Sequence, residues 1–94
     1  MDVCILGRIG YDLFAVEHAR PLAEVAHFSR HLGGSSANIA VGLARLGLKV
    51  GLISAIGQDE LAPYLMDFLA SEGVDTRFVR QVRGYQTSLC LTEV

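Results

Sequence analysis

The chain has 94 residues, of which 51% are hydrophobic and 19% are charged, and its formal net charge is −2. This composition is typical of a globular domain and excludes a disordered or low-complexity chain. Lys and Arg are scattered, so the sequence offers no basic stripe for nucleic acid or for an anionic membrane surface. The apolar runs are too short to cross a bilayer and no signal-peptide pattern follows Met1, which predicts a cytoplasmic protein.

The first predicted element is a strand over residues 3–6, a short apolar run that ends at Gly7. Such a run fits a strand that is buried on both faces of a parallel sheet. Two short mixed segments, residues 13–16 and 26–32, lie on either side of the Arg20-Pro21 turn. We expect these segments to form small strands that cover another part of the molecule.

A helix is predicted next, from about Ser36 to Leu46, with Gly47 ending it. Its core face is predicted to consist of apolar residues at helical spacing: Ile39, Leu43 and Leu46. A second buried strand is predicted over residues 50–56, which again form a continuous apolar run.

The second predicted helix begins at Asp59 or Glu60 and ends at Gly73, with Asp59 as its expected cap. Its apolar stripe comprises Leu61, Leu65, Phe68 and Leu69. Short strands are predicted at residues 78–79 and over residues 88–94, where the chain ends.

This alternation of strands and helices predicts an α/β fold, the amino-terminal part of a doubly wound sheet. Such a sheet binds its ligand at the carboxyl ends of its strands. Residues 7–12, 33–38 and 57–59 can all lie near that edge. A sheet whose last strand coincides with the end of the chain has an open edge and unmatched apolar faces. We therefore expect residues 1–94 to be a fragment of one larger domain.

The segment before the first helix carries the strongest functional signal. Gly33 and Gly34 lack Cβ atoms, so the backbone can adopt positive φ and a ligand can approach the main chain. Ser35 or Ser36 can cap the helix, which leaves its first N–H groups for hydroxyl, carboxylate or phosphate oxygens. Asn38 can donate and accept at once, which suits a polyol. An ordinary capped turn between a strand and a helix is the alternative interpretation of the same residues.

The cysteines and histidines show no disulfide or metal-binding pattern. Cys4 and Cys90 each lie in an apolar run, which predicts reduced core residues. His27 and His31 are four residues apart in a predicted strand, so they are not a helical pair of metal ligands. We expect His18, His27 and His31 to lie on the solvated surface or above a ligand.

Five motifs occur in a fixed order along the chain. They are Gly7-Arg8 with Asp12, Gly33-Gly34, N-I-A-V-G-L-A-R-L-G from Asn38 to Gly47, Gly57-Gln58-Asp59, and E-G-V-D-T from Glu72 to Thr76. Together these motifs resemble the amino-terminal third of the ribokinase-like (PfkB) carbohydrate kinases, and the resemblance covers nearly the whole chain. One position departs from the pattern: Ser36 stands where the family usually has a small apolar residue or Pro.

The resemblance implies a division of labour. In this family the amino-terminal part holds the sugar and carries a small β-lid, whose strands often pair two subunits in a homodimer. ATP and Mg are the implied cofactors. Their site and the catalytic Asp come from a Gly-Ala-Gly-Asp motif toward the carboxyl end, and that motif does not occur in this chain. We therefore expect acceptor recognition in these 94 residues and no catalytic residue.

The residues expected to bind the acceptor are Arg8, Asp12, Gly33, Gly34 and Asn38. Asp12 can accept bonds from two sugar hydroxyls, although an ordinary Asp at a strand end would look the same in sequence. Arg8 follows the first strand and can hold a carboxylate in a two-point contact. Its alternatives are an ion pair with an acid such as Asp12, or a position along the surface.

Within the family, the chain resembles most the members that act on a sugar acid of inositol catabolism. Gly7-Arg8 and Asp12-Leu13 contribute to this likeness, as do A-R-L-G-L-K and Thr87-Ser88-Leu89. Fructokinase, ribokinase and 2-keto-3-deoxygluconate kinase members share much of the same frame and stay open as alternatives. A non-catalytic sugar-binding or dimerising module is the alternative from another functional class.

Overall fold

The computed structural model describes residues 1–93. The helices and strands over these residues are β1 (Val3–Leu6), β2 (Gly10–Ala15), β3 (Phe28–Gly33), α1 (Ser35–Arg45), β4 (Val50–Gly57), α2 (Ala62–Ser71), β5 (Val79–Val82) and β6 (Ser88–Thr92). A single 3-10 turn, Leu22–Glu24, lies between β2 and β3. The predicted α/β fold is confirmed. Over the described range, neither helix is long and apolar enough to cross a membrane.

The main sheet consists of β1, β4 and β5 in the spatial order β1-β4-β5, and all its strand pairs are parallel. Val3 pairs with Val50, and Ser54 pairs with Val79. Because the strands run in the same direction, their carboxyl ends lie at one edge. The loops that follow Leu6, Gly57 and Val82 therefore meet there.

Both helices and β4 contribute to one hydrophobic core. Its fully buried large side chains include Leu52 of β4 and Leu65 and Leu69 of α2. The stripe predicted for α2 is thus confirmed at Leu65 and Leu69. Pro63 lies in the first turn of α2, where its missing N–H costs no helical hydrogen bond.

The face of α1 that packs on the core differs from the prediction. Its buried residues are Ala37, Ala40 and Val41. Ile39 and Leu46 were expected in the core but are 53% and 80% exposed, whereas Leu43 is partly buried against the core. The small side chains of Ala37 and Ala40 let the backbone of α1 lie close to β4. The face that carries these alanines therefore packs on the core in place of the predicted face. The spacing of apolar residues could not choose between these two faces.

The second sheet has the order β3-β2-β6, with β2 and β3 antiparallel and β2 and β6 parallel. We call it the lid sheet. The two short segments predicted as covering strands form β2 and β3. The last strand was expected to extend the main sheet, and that expectation is wrong. It begins at Ser88 opposite Gly10 and pairs with β2, because the turn before it is anchored at the end of β4.

Aromatic contacts attach the lid sheet to α2. The ring of Tyr64 in α2 meets the ring of Tyr11 edge to face, with 5.8 Å between centroids. The Arg30 guanidinium carbon lies 4.1 Å from the centroid of the same Tyr64 ring. Tyr11 and Arg30 come from adjacent strands of the lid sheet, so one aromatic residue holds two strands.

Cys4 and Cys90 are free, as predicted, but both are exposed, so their expected core position is wrong. In β1, Val3 and Ile5 are partly buried, whereas Cys4 and Leu6 are exposed. Cys4 therefore lies on the sheet face away from the helices. Leu6, which shares that face, is 77% exposed. A short apolar strand does not show which of its two faces is covered, and this explains the error.

Candidate functional site

The loop after β1 and the loop before α1 lie against each other at the carboxyl edge of the main sheet. Gly34 has φ 91°, and a Cβ at this position would overlap the carbonyl oxygen of Arg8. A Cβ on Gly7 would likewise overlap the side chain of Ser36. Two glycines therefore allow a close backbone approach that no other residue type permits.

Asp12 lies on β2 at the base of the lid sheet, directly beside Gly33 of β3. A Cβ on Gly33 would overlap the Asp12 carboxylate. Asp12 is partly buried, and among residues 1–93 it takes part in no hydrogen bond from a side chain and in no ion pair. Its acceptor oxygens are therefore available to hydroxyl donors of a ligand.

The helix N-terminus beside these residues is uncapped by any side chain. Helix α1 begins at Ser35 with Gly34 as its N-cap residue, and no side-chain cap bond forms. The expected cap by Ser35 or Ser36 is therefore wrong, because Gly34 takes the cap position and Ser36 packs on Gly7 instead. The first N–H groups of the helix have no partner within it.

Asn38 fixes the conformation of the loop that contains Gly33 and Gly34, which we call the glycine loop. Its side-chain Nδ2 donates to the carbonyl oxygen of Gly34 at 3.0 Å and to that of Leu32 at 3.4 Å. Its backbone N–H donates to the Gly34 oxygen at 3.0 Å. The side chain is exposed, and its Oδ1 is the atom left for a ligand. Asn38 therefore holds the loop whether or not it also binds the acceptor.

Arg8 is exposed, and in the described part of the chain it forms no ion pair. The alternative in which Arg8 pairs with Asp12 is therefore not realised. Arg8 lines a cavity of about 350 Å3 at the carboxyl edge of the main sheet, together with Arg80. The backbone of Arg8 thus lies against the glycine loop. Arg8 also lines this cavity, which is a concave surface distinct from the one beside Asp12.

Asp59 lies three residues before α2 begins at Ala62; the N-cap residue is Leu61 and not Asp59 as expected, but the Asp59 carboxylate binds the N–H groups at the start of the helix. Its Oδ1 accepts the N–H groups of Leu61 at 3.0 Å and Ala62 at 3.1 Å. It also binds Thr87, which is 2% exposed: Oδ2 accepts the Thr87 N–H at 2.6 Å and Oδ1 accepts its hydroxyl at 2.8 Å. The Thr87 N–H bond is the main reason that the pKa of Asp59 lies below its ordinary value.

Two features of this edge are absent from the sequence prediction. Thr87 connects the start of the lid strand to α2, which no local motif indicates, because its partner Asp59 is 28 residues away. Arg80 enters the cavity lining because β5 covers Val79–Val82 rather than the two residues expected. Its pairing with Ala55 of β4, which no local signal encodes, brings Arg80 to the cavity.

The histidines that the structure describes lie beside single polar partners and not in clusters of metal ligands. His27 pairs with Glu17 at 3.1 Å beside the lid sheet, and His31 of β3 lies 3.0 Å from the Ser29 hydroxyl. Within residues 1–93, His, Cys, Asp and Glu form no group of three or more that could hold a metal ion.

Comparison with known proteins places this geometry in a family. Residues 1–94 match the family described as pfkB family carbohydrate kinase. The chain belongs to this family. It is 43% identical over 94 residues to a 5-dehydro-2-deoxygluconokinase of Lacticaseibacillus casei, covering 99% of this chain and 29% of that protein.

Solved structures of PfkB kinases share the fold. An uncharacterized sugar kinase of Pyrococcus horikoshii superposes with a TM-score of 0.92 at 37% identity, covering 98% of this chain and 31% of that one. The same protein has been solved in complex with ATP. Halothermothrix orenii fructokinase gives a TM-score of 0.87 at 42% identity, covering 95% of this chain and 32% of that one. The chain thus spans under a third of the length of each of these relatives.

Proposed function

We propose that these residues form the acceptor-binding part of an ATP-dependent carbohydrate kinase. The observation that carries the proposal is the Asp12 carboxylate, which has no side-chain hydrogen bond or ion pair among residues 1–93 and lies beside Gly33 at the base of the lid sheet. A carboxylate in this position can accept hydrogen bonds from two hydroxyls of one sugar, because each of its oxygens has acceptor capacity left. The glycine beside it leaves room for the ligand.

Two neighbouring groups complete a polar pocket around Asp12. The uncapped N–H groups at the start of α1 are donors, and the Oδ1 of Asn38 is an acceptor. A sugar presents hydroxyls that both donate and accept, so a mixture of donors and acceptors matches it better than a purely cationic pocket would. The residues proposed to bind it are Arg8, Asp12, Gly33, Gly34 and Asn38.

The cofactors of the proposed reaction are ATP and Mg, which the family implies. When bound, ATP supplies the phosphoryl group that is transferred to an acceptor hydroxyl. These 94 residues contain no Gly-Ala-Gly-Asp motif, so we assign to them only the binding and orientation of the acceptor. The free cysteines and the absence of a membrane-spanning helix in residues 1–93 are compatible with the cytoplasmic location that we also propose.

The lid sheet also supports a proposed homodimer. Its outer strands are β3 and β6, and Leu89 and Leu91 of β6 are exposed. A second copy of the sheet would cover these leucines and pair an unpaired strand edge. Sedimentation at several concentrations is the direct measurement of this association.

The proposed function is tested in a joined enzyme, in which residues 1–94 are followed by the remaining carboxyl-terminal part of the Lacticaseibacillus casei relative. We expect this enzyme to phosphorylate a sugar or sugar acid in an ATP-dependent assay. The isolated 94-residue chain is expected to show no such activity, because it lacks the means to position ATP and a base for the hydroxyl. Sugar-dependent consumption of ATP by the isolated chain would contradict the proposed division of labour.

We further propose that the acceptor is a sugar acid such as 5-dehydro-2-deoxygluconate, the substrate named for the Lacticaseibacillus casei relative. Arg8 supports this choice, because it is a cation at the ligand edge that forms no ion pair with any carboxylate of residues 1–93. Fructose, ribose and 2-keto-3-deoxygluconate are the alternative acceptors.

The prediction for Arg8 separates an acidic from a neutral acceptor. In the joined enzyme, Arg8→Lys should lower kcat/KM for 5-dehydro-2-deoxygluconate by about tenfold, because an ammonium cannot reproduce the two-point contact of a guanidinium. Any activity on fructose or ribose should hardly change, since a neutral sugar has no carboxylate. Steady-state kinetics on both classes measures this difference. Equal losses on both would assign Arg8 to structure.

A further inference from the structure

The cavity at the carboxyl edge of the main sheet is built by several elements. It has a volume of about 350 Å3, and its lining includes Arg8 after β1, Ile56 near the end of β4, Arg80 in β5 and Thr87 before β6. Strands β4 and β5, the loop that follows β1 and the segment that leads to the lid sheet therefore contribute. An open parallel sheet holds its ligand at this position.

The cavity contains positive charge without negative charge. Arg8 and Arg80 both line it, and none of the Asp and Glu residues that the structure describes does. Its other polar lining residues, such as Tyr85 and Gln86, are uncharged. An anion in this cavity would be attracted by two cations, because the lining holds no carboxylate of the described residues that would offset their charge.

Among residues 1–93, Arg8 and Arg80 differ in their charge partners from Arg45 and Arg77, although Arg20, Arg30 and Arg83 are likewise in no ion pair. Arg45 is bound by Glu72 and Arg77 by Asp75 in close ion pairs. Neither Arg8 nor Arg80 is in an ion pair within the part of the chain that the structure describes. A guanidinium stays charged and offers planar N–H donors that match an oxyanion. Two of them on one cavity favour a carboxylate or a phosphate.

We infer that Arg8 and Arg80 form one oxyanion-binding site and that it holds the carboxylate of a sugar-acid acceptor. The inference rests on the proposed function and deepens it, because it assigns recognition of the acid group to a second residue on a different strand. Arg80 is paired with Ala55 of β4, so the side chains of these two residues lie on the same face of the main sheet. Both residues line the cavity on that face. The Arg8 backbone contacts Gly34, which connects this site to the loop beside Asp12.

The test uses the joined enzyme with Arg80→Gln and Arg80→Lys. Arg83→Gln is the matched control, because Arg83 is exposed in the turn after β5 and lies outside the cavity lining. Loss of one charged hydrogen-bonding partner should raise KM for 5-dehydro-2-deoxygluconate about tenfold in Arg80→Gln. Arg80→Lys should give an intermediate increase, and KM for ATP should stay unchanged in all variants.

A binding measurement on the 94-residue chain adds an arm that does not depend on activity. D-gluconate, D-glucitol and inorganic phosphate are titrated while the Nε–Hε resonances of Arg8 and Arg80 are followed by NMR. We expect gluconate to shift both resonances and glucitol, which lacks the carboxylate, to leave them in place. In the joined enzyme, gluconate should compete with the acceptor more weakly after Arg80→Gln.

The outcomes separate this inference from the proposed function. A joined enzyme that phosphorylates no sugar contradicts the proposed function, and the NMR arm then decides the oxyanion site. An active joined enzyme in which Arg80→Gln matches Arg83→Gln overturns the inference alone. Shifts with phosphate and none with gluconate also overturn it, because the anion would then come from a phosphate group rather than from an acceptor carboxylate.

Discussion

Asp59→Ala should destabilise the joined enzyme by about 3 kcal/mol, because N–H groups now held by a carboxylate would lose their acceptor. The substitution removes the acceptor at the start of α2 and the anchor of β6 together, since one carboxylate accepts bonds from Leu61, Ala62 and Thr87. Thr87 is almost fully buried, so water cannot replace its lost partner without local opening. Urea unfolding followed by circular dichroism measures the change.

Two further variants distinguish the hydrogen bonds from the simple loss of a side chain. Asp59→Asn preserves the shape and an acceptor at Oδ1, but it places an NH2 group against the Thr87 N–H, so we expect roughly half the loss of Asp59→Ala. Glu60→Ala is the matched control, because Glu60 is the exposed neighbouring acid. Equal unfolding midpoints for Asp59→Ala and Glu60→Ala would refute the anchoring role.

The same carboxylate makes stability depend on pH. Because the hydrogen bonds of Asp59 hold its pKa below the ordinary value of 3.8, its contribution is complete above that value. The contribution is lost as the pH falls through the lower pKa of the folded state. The stability difference between the unsubstituted protein and Asp59→Asn should therefore shrink below about pH 4. A difference that stays constant down to pH 2 would contradict this account.

Gly34→Ala should also destabilise the joined enzyme by about 3 kcal/mol, from positive φ and from overlap with backbone. The added Cβ would collide with the Arg8 carbonyl oxygen, which belongs to the main chain and cannot rotate away. The variant should bind the acceptor poorly, because separating the two loops moves Asp12 away from the start of α1. Urea unfolding and the acceptor KM are the two measurements.

Gly47→Ala provides a closely matched control for the backbone strain. Gly47 has φ 93°, against 91° for Gly34, but a Cβ there meets nothing within 4 Å. Gly47→Ala should therefore cost only about 1 kcal/mol. The difference between the two variants isolates the contact between the loops. If both variants lost the same stability, the close approach of Arg8 and Gly34 would have no energetic importance.

The alternation of elements and the loops at the sheet edge were predictable from the sequence because their signals are local. Continuous apolar runs gave β1 and β4, and Gly47 and Gly73 follow the two helices with positive φ as expected. Asp59 was recognised as a residue of the start of α2 because its carboxylate acts on the N–H groups just after it.

Three of the failures concern contacts between distant parts of the chain. The partner of β6 is β2, with Ser88 opposite Gly10, 78 residues earlier along the chain, and no local pattern encodes such a pairing. The packing face of α1 depended on how closely the helix approaches β4, which favoured Ala37 and Ala40 over Ile39. Arg80 was missed for the same reason, since only the folded sheet brings it to the cavity of Arg8.

The central claim is that this part of the chain recognises the acceptor and not the nucleotide. The decisive measurement is the kinetics of Asp12→Ala in the joined enzyme, with Asn38→Ala beside it and Asp67→Ala, an exposed acid of α2, as the control. Removing the free carboxylate should lower kcat/KM for the sugar or sugar acid by about 10- to 100-fold, because hydroxyls would lose their charged acceptor. KM for ATP should stay unchanged in Asp12→Ala. A loss of ATP binding with normal use of the acceptor would contradict the account.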